Sequence, residues 1–200
     1  MRAIISQDPS FSGLGFSVYD GKDTIYMDRC GVKFNNVIGF DAVYNANIEL
    51  YDHYSEKLKG YGVGDRLKVD LIYSEIPPPT GIFSAGLFSL DTFIIDRLYN
   101  NFLESKGEVY ILPPSFLMSI HNKKKYKKSE SVVLAKYLLD NVLNDFFSYE
   151  HSGRINSDMA ESLLFLMRAF CKFNIKGVKD KIIEAIPGYF SEPEVLLIKR

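Results

Sequence analysis

The sequence predicts an α/β domain: a mixed five-stranded sheet, three antiparallel strands followed by two parallel ones, flanked by helices. Three observations carry that expectation. Strand-like runs crowd the first part of the chain and are joined by turn signals. Two later strand-like runs are each reached through a long helical pattern. Finally, 46% hydrophobic against 24% charged residues over 200 positions suits one globular domain. Folding a chain of that length removes roughly 70% of its extended surface from water, so a core forms without staples.

Residues 2–7 read as a short apolar strand closed by Asp8-Pro9-Ser10, and a glycine-containing turn leads to a second strand over 16–19. Asp20-Gly21 is a hairpin signal, and residues 24–34 supply the third strand. Phe40, Val43, Tyr44, Ile48, Tyr51 and Leu58 recur at helical spacing until Gly60, Gly62 and Gly64 break the helix. Residues 66–73 form a buried strand with Glu75 just past its end, and Pro77-Pro78-Pro79 cannot continue it. Phe83, Leu87, Leu90, Ile94 and Leu98 make one stripe of a long helix, and Gly107 stops it before a fifth strand at 108–112. Further helices fall at 129–147, at 157–173 with Ser157 as N-cap, and at 179–186. Residues 1–170 read as the domain and 171–200 as a helical extension packed on it. Strands joined by tight turns lie antiparallel, and strands reached through right-handed crossovers lie parallel. Sites in such sheets gather beyond the strand ends where strand order reverses.

Three histidines and two cysteines exclude a zinc-finger or iron–sulfur framework. Cys30 and Cys171 read as reduced thiols of an intracellular protein. No run reaches the ~20 apolar residues of a membrane span, and residues 1–6 turn polar too soon for a signal peptide. The net charge of −1 hides an asymmetry. Lys123, Lys124, Lys125, Lys127, Lys128 and Lys136 face a single acid, Glu130, a local excess of five positive charges. Such a run is a solvated loop or a phosphate-binding surface. His53, His121 and His151 read as solvated side chains.

Four acids stand where this topology can bring them together. Asp8 closes the first strand and Glu75 the fourth, while Asp158 and Glu161, three apart, project from one face of a helix. Asp8 has an ordinary reading as a turn aspartate, and Asp158 and Glu161 as first-turn acids favoured by the helix dipole, whereas Glu75, between an apolar strand and three prolines, is harder to dismiss. Together they point to chemistry, because clustered carboxylates repel unless a cation neutralises them. A pair of Mg²⁺ ions about 4 Å apart takes hard oxygen ligands and can activate a water while stabilising the departing 3′-oxygen of a phosphodiester.

Four segments carry a resemblance. They are Ile4-Ile5-Ser6-Gln7-Asp8-Pro9-Ser10 with Gly13 and Gly15-Phe16-Ser17-Val18, Leu71-Ile72-Tyr73-Ser74-Glu75, Pro113-Pro114-Ser115 with Lys127-Lys128-Ser129-Glu130-Ser131-Val132, and Asn156-Ser157-Asp158-Met159-Ala160-Glu161-Ser162-Leu163. In order and spacing they resemble the RuvC-like Holliday-junction resolvases of the RNase H-like superfamily, most closely the divergent bacteriophage forms. The resemblance implies an RNase H-like fold and a structure-selective DNA endonuclease acting on four-way or other branched DNA. It implies two Mg²⁺ ions, with Mn²⁺ able to substitute. Asp8 would be the shared ligand, completed by Glu75 and one of Asp158 or Glu161. Lys128 would approach the scissile phosphate, and Lys123, Lys124, Lys125 and Lys127 would hold phosphates of the duplex. It also implies a homodimer and, for a phage-encoded protein, the bacterial cytoplasm. The long helix has a second apolar set, Ile82, Phe93, Ile95 and Tyr99, which a second subunit or the chain's own tail could cover.

Two departures stand out. Glu161 occupies a place where many members carry aspartate, and Ile76-Pro77-Pro78-Pro79 occupies the place of a junction-wedging aromatic, with Phe83 the first aromatic after it. Rival readings are a non-catalytic DNA-docking module of the same fold and a nuclease for flaps, forks or RNA hybrids. An actin-like ATPase needs a duplicated domain and fails on length.

Overall fold

A computed structural model describes residues 2–10, 13–31, 40–75, 82–186, 188 and 195–199, without the side chains of 40–43, 82–88 and 195–199. Three strands come first: β1 (Ala3–Ser10), β2 (Gly13–Tyr19) and β3 (Thr24–Cys30). They form the expected antiparallel meander, with Asp8 opposite Gly15 and Gly15 opposite Arg29. The β2–β3 turn is held by Asp20, whose Oδ1 accepts from the backbone N–H groups of Lys22, Asp23 and Thr24, and Gly21 takes the positive φ of 78°.

The chain continues through α1 (Phe40–Gly60), β4 (Val69–Glu75), α2 (Ile82–Asn101) and β5 (Leu103–Leu112). Both crossovers yield parallel pairs, β1 with β4 and β4 with β5. Then come α3 (Ser115–Ile120), α4 (Lys128–Leu138) running into a wider turn at Leu139–Leu143, β6 (Ser148–His151), α5 (Ser157–Phe173), α6 (Lys179–Ala185) and β7 (Val195–Lys199).

The sheet has seven strands in the order β6-β3-β2-β1-β4-β5-β7, not the five expected. The two extra strands are edges. β6 pairs parallel to β3, and its short Ser-Tyr-Glu-His sequence lacks apolar alternation because only Tyr149 packs against the core. β7 lies antiparallel on β5 and covers that strand's open edge. β1 also runs further than expected, through Asp8 and Pro9 to Ser10. Proline is tolerated there because pairing with β4 stops at Gln7, so Pro9 is paired on one side only. The N-cap of α5 is Asn156 rather than Ser157, its side chain accepting from Met159 N–H at 3.0 Å.

Alternation along the strands sorts side chains between two apolar layers. Ile4, Leu71 and Tyr73 join α3, α4, α5 and α6, whereas Ile5 and Ile72 join α1 and α2. The second apolar face of α2 finds a partner in this chain, because Ile95 enters the α1–α2 core and the Phe93 ring meets Tyr44 and Tyr51. No second subunit is needed to cover that described part. Ile76-Pro77-Pro78-Pro79 and the Phe83 side chain lie outside the described residues. Cys30 and Cys171 are buried free thiols. Among the described residues no helix is long and apolar enough to cross a membrane.

Candidate active site

The alternation that sends Gln7 and Ser74 to the α1–α2 side sends the next residues, Asp8 and Glu75, to the opposite face, under α5. Gln7 and Ser74 form the last parallel register pair, so Asp8 and Glu75 leave β1 and β4 side by side. The central β1 pairs antiparallel on one side and parallel on the other, and the site sits at that change of direction.

α5 reaches this place because glycine and serine let it come close. Gly15 lies across the ladder from Asp8, and a Cβ there would stand 2.1 Å from the Asp158 carbonyl carbon and 2.6 Å from Met159 N. Only glycine permits that approach. Two serines then fasten the helix: Ser6 Oγ donates to the Ser162 carbonyl at 2.8 Å, and Ser17 Oγ lies 2.9 Å from Ser162 Oγ. Both Asp158 and Glu161 are thereby buried against the sheet.

The four acids are not equivalent. Asp158 Oδ2 accepts from Arg29 Nε at 3.0 Å and Ser10 Oγ at 3.4 Å, and its Oδ1 from Lys128 Nζ at 3.4 Å and Ser157 Oγ at 3.3 Å. Glu161 Oε1 accepts from Tyr126 hydroxyl at 2.9 Å and Ser131 Oγ at 3.3 Å, and its Oε2 lies 3.6 Å from Lys128 Nζ. Asp8, 3% exposed, has an Oδ2 that is buried with no hydrogen-bond partner.

Electrostatics follow this division. Burial, then the charges of Glu75 and Glu161, hold the Asp8 carboxyl well above the usual carboxylate range, and a side-chain hydrogen bond with Glu161 adds to the effect. Burial, followed by the Glu161 charge, pushes Glu75 up to about 8. Asp8, Glu75 and Glu161 therefore act on one another as a single cluster. Lys128 is the counter-charge. Partial burial pulls its ammonium down, but Glu161, Asp8 and Asp158 outweigh that and raise it above its ordinary value.

The donors fit a divalent cation in kind, being hard carboxylate oxygens with one buried oxygen unpartnered. As they stand, no three His, Cys, Asp or Glu side chains among the described residues form a set that could hold a metal ion.

No family model matches the sequence, and no curated protein is detectably similar to it. Solved structures do match. The chain superimposes on T. thermophilus RuvC in complex with a Holliday junction substrate with a TM-score of 0.54 at 12% identity, over 87% of this chain and 96% of that one. The yeast mitochondrial Holliday junction resolvase Ydc2 gives 0.55 at 12% identity, over 92% and 86%. The chain has the RuvC-type fold. Its mixed sheet and flanking helices are those the sequence predicts, with the edge strands added.

On this RuvC-type fold Lys128 stands among the acids, while Lys124, Lys125 and Lys127 are exposed on the loop before it. Lys123 is drawn into an ion pair with Glu130 at 2.7 Å. His121 is not solvated. It is buried, its Nε2 lies 3.1 Å from Ser131 Oγ, its ring stacks on Tyr126 at 4.8 Å, and burial holds its pKa below the ordinary value. His151 bonds the Gly153 carbonyl and His53 is exposed, so neither joins the site.

Arg29, Tyr126, Ser131 and Ser10 are site residues that sequence reading missed. Arg29 had one local signal, a charge within the expected third strand. Its neighbour Asp28 accepts from Lys57 Nζ at 2.7 Å and Tyr61 hydroxyl at 3.0 Å, which ties that part of β3 to α1 and the turn after it.

Proposed function

We propose that this protein is a metal-dependent endonuclease that resolves branched DNA, four-way junctions first, by phosphodiester hydrolysis. The observation that carries the reading is the Asp8–Glu75–Glu161 cluster beside Lys128, with Asp8 Oδ2 buried and unpartnered, on a RuvC-type fold. The structural neighbours support the substrate: one is RuvC bound to a Holliday junction substrate and another is a Holliday junction resolvase.

In this reading Asp8, Glu75 and Glu161, with Asp158 beside them, hold two Mg²⁺ or Mn²⁺ ions. Such ions activate water and stabilise the charge developing on the leaving oxygen. The protein's own part is to gather the acids. Arg29 and Ser10 orient Asp158, while Tyr126 and Ser131 orient Glu161. Lys128 can turn from the acids to the phosphate, which suits a compact charge on a flexible stem. Lys124, Lys125 and Lys127, and Lys123 once released from Glu130, bind phosphates without reading sequence. Paired incision calls for two copies of the chain, which sedimentation measures.

A docking module of the same fold is the second reading, favoured by one observation: Arg29 and Lys128 already pair with the helix acids without metal. The deciding experiment cleaves labelled four-way junction, fork and linear duplex in Mg²⁺ and in Mn²⁺, with Asp8→Asn in parallel. Paired nicks in the junction, lost in the variant, are expected. Junction binding without cleavage establishes the docking module instead, and preferred cutting of the fork moves the substrate to another branched DNA.

A further inference from the structure

The face of the sheet opposite the acids holds a second polar group that the proposed chemistry does not use. Asp91 sits on α2, only 1% exposed, within a layer made by Leu90, Ile94, Leu98 and Ile72. Its Oδ1 accepts from Ser74 Oγ at 2.7 Å and from Gln7 Nε2 at 3.3 Å, and Gln7 Nε2 lies 3.2 Å from Ser74 Oγ. These three side chains close a triangle under the β1–β4 junction.

Position makes the triangle informative. Gln7 and Ser74 are the last register pair of the parallel ladder, and the next residues are Asp8 and Glu75. Beyond that pair no backbone pairing between β1 and β4 sets the separation of the two carboxylates, and the Glu75 charge, which raises Asp8, opposes their approach. A tie on the last pair is where the strand ends can be fixed most directly. The tie has an energetic cost: burial of an acid in an apolar layer is unfavourable, and it pushes Asp91 up to about 7 despite the two hydrogen bonds. An apolar residue of similar size would pack there without that cost. Departures of this kind from local preference concentrate where a site needs geometry.

We propose that Asp91 is a positioning residue for the proposed metal site: through Gln7 and Ser74 it fixes the separation of Asp8 and Glu75, so that both can hold the same divalent cation. This rests on the reading of Asp8 and Glu75 as metal ligands. Asp91 bonds Ser74 and Gln7 rather than either carboxylate, although its charge also acts on Glu75. It acts as an outer-shell partner does, by orienting groups that orient the ligands, and losses of about ten- to hundredfold in metal affinity are typical when such partners are removed.

The test measures Mn²⁺ binding to the full-length chain by the electron paramagnetic resonance of free Mn²⁺, together with the metal-free thermal midpoint. Asp91→Leu removes both hydrogen bonds, Asp91→Asn keeps an acceptor in the same place, and Asp8→Asn is the reference. The expected result is weaker Mn²⁺ binding by tenfold or more in Asp91→Leu, a smaller loss in Asp91→Asn, and an Asp91→Leu midpoint no lower than that of the wild type. Unchanged affinity in folded Asp91→Leu overturns the proposal. Equal losses in the two variants overturn it as well, because charge and not position would then act on the site. Should leucine fail to fold, Ser74→Ala removes the 2.7 Å bond, and weaker or unchanged Mn²⁺ binding decides in the same way. Wild-type protein that binds no Mn²⁺, or binds it no better than Asp8→Asn, refutes the metal-site reading itself, a result separate from any effect at Asp91.

Discussion

Asp158 and Glu161 on α5 and Asp8 and Glu75 on the strands all feel the Lys128 charge, yet the helix pair is furnished with donors and the strand pair is not. Every oxygen of Asp158 and Glu161 has a partner among Arg29, Ser10, Ser157, Lys128, Tyr126 and Ser131. Asp8 Oδ2 has none, and burial with mutual repulsion keeps Asp8 and Glu75 inclined to hold protons. The helix half is thus organised by the protein itself. The strand half carries carboxyls that the Lys128 charge compensates only in part, so that protons, or a cation bound there, would relieve the rest.

The strongest way to break this comparison is to part the two halves. Gly15→Ala places a methyl group into the Asp158 backbone, so α5 must lift from β2. The expected outcome is a loss of junction cleavage on the order of 100-fold from misplacement alone. Denaturant unfolding should show about 1–3 kcal/mol of destabilisation from overpacking. Wild-type cleavage with an unchanged denaturation midpoint would show that the close approach is unimportant.

A second expectation sharpens the strand half through pH. The Glu75 pKa is raised in the folded state to about 8, and Asp8 is raised too. The folded chain therefore binds these protons more tightly than the unfolded one, whose carboxyls titrate near ~4. The associated stability is fully present below the unfolded pKa and is lost as pH rises through about 8. Metal-free melting temperatures should fall between pH 5 and pH 8.5 by several degrees. Asp8→Asn should flatten that slope, and added Mn²⁺ should restore stability most at the alkaline end. A flat wild-type profile would mean that the strand acids are already compensated.

The smallest effect belongs to the helix half. Tyr126→Phe removes one hydrogen bond to Glu161 and keeps the stack on His121, while Ser131 and Lys128 still hold the carboxylate. Cleavage in this variant should drop only a few-fold, since a hydrogen bond to a charged group contributes roughly 1.5–3 kcal/mol and its loss is shared with the remaining donors. A drop as large as that of Gly15→Ala would make Tyr126 the main support of Glu161.

Much of the architecture was readable in advance because local signals agreed with the topology. Turn residues marked the meander, and helical stripes separated the parallel strands. The acids stood at the strand ends and three apart on a helix; Asp8, Glu75 and Glu161 act on one another in the fold, and Asp158 reaches them through Lys128. What escaped reading has physical causes. β6 is an exposed edge of four residues, so it carries no alternation to detect. Pro9 usually ends a strand, yet here it costs no bond to β4. Arg29, Tyr126 and Ser131 act on α5 from 129, 35 and 30 residues away, and no short-range pattern announces such partners. Asp91 did leave a trace, since it lies within the stripe of Leu87, Leu90, Ile94 and Leu98, where an acid is out of place.

The bond between Ser6 and the Ser162 carbonyl joins residues 156 apart, and Ser17 meets Ser162 across 145. The β1–β2–β3 meander needs only local contacts and can form early, but the acids of β1 and α5 meet only after nearly the whole domain has been ordered. Hydrogen exchange should accordingly find the α5 docking contacts opening with the global unfolding transition, and the acidic centre should be absent from any partly folded chain.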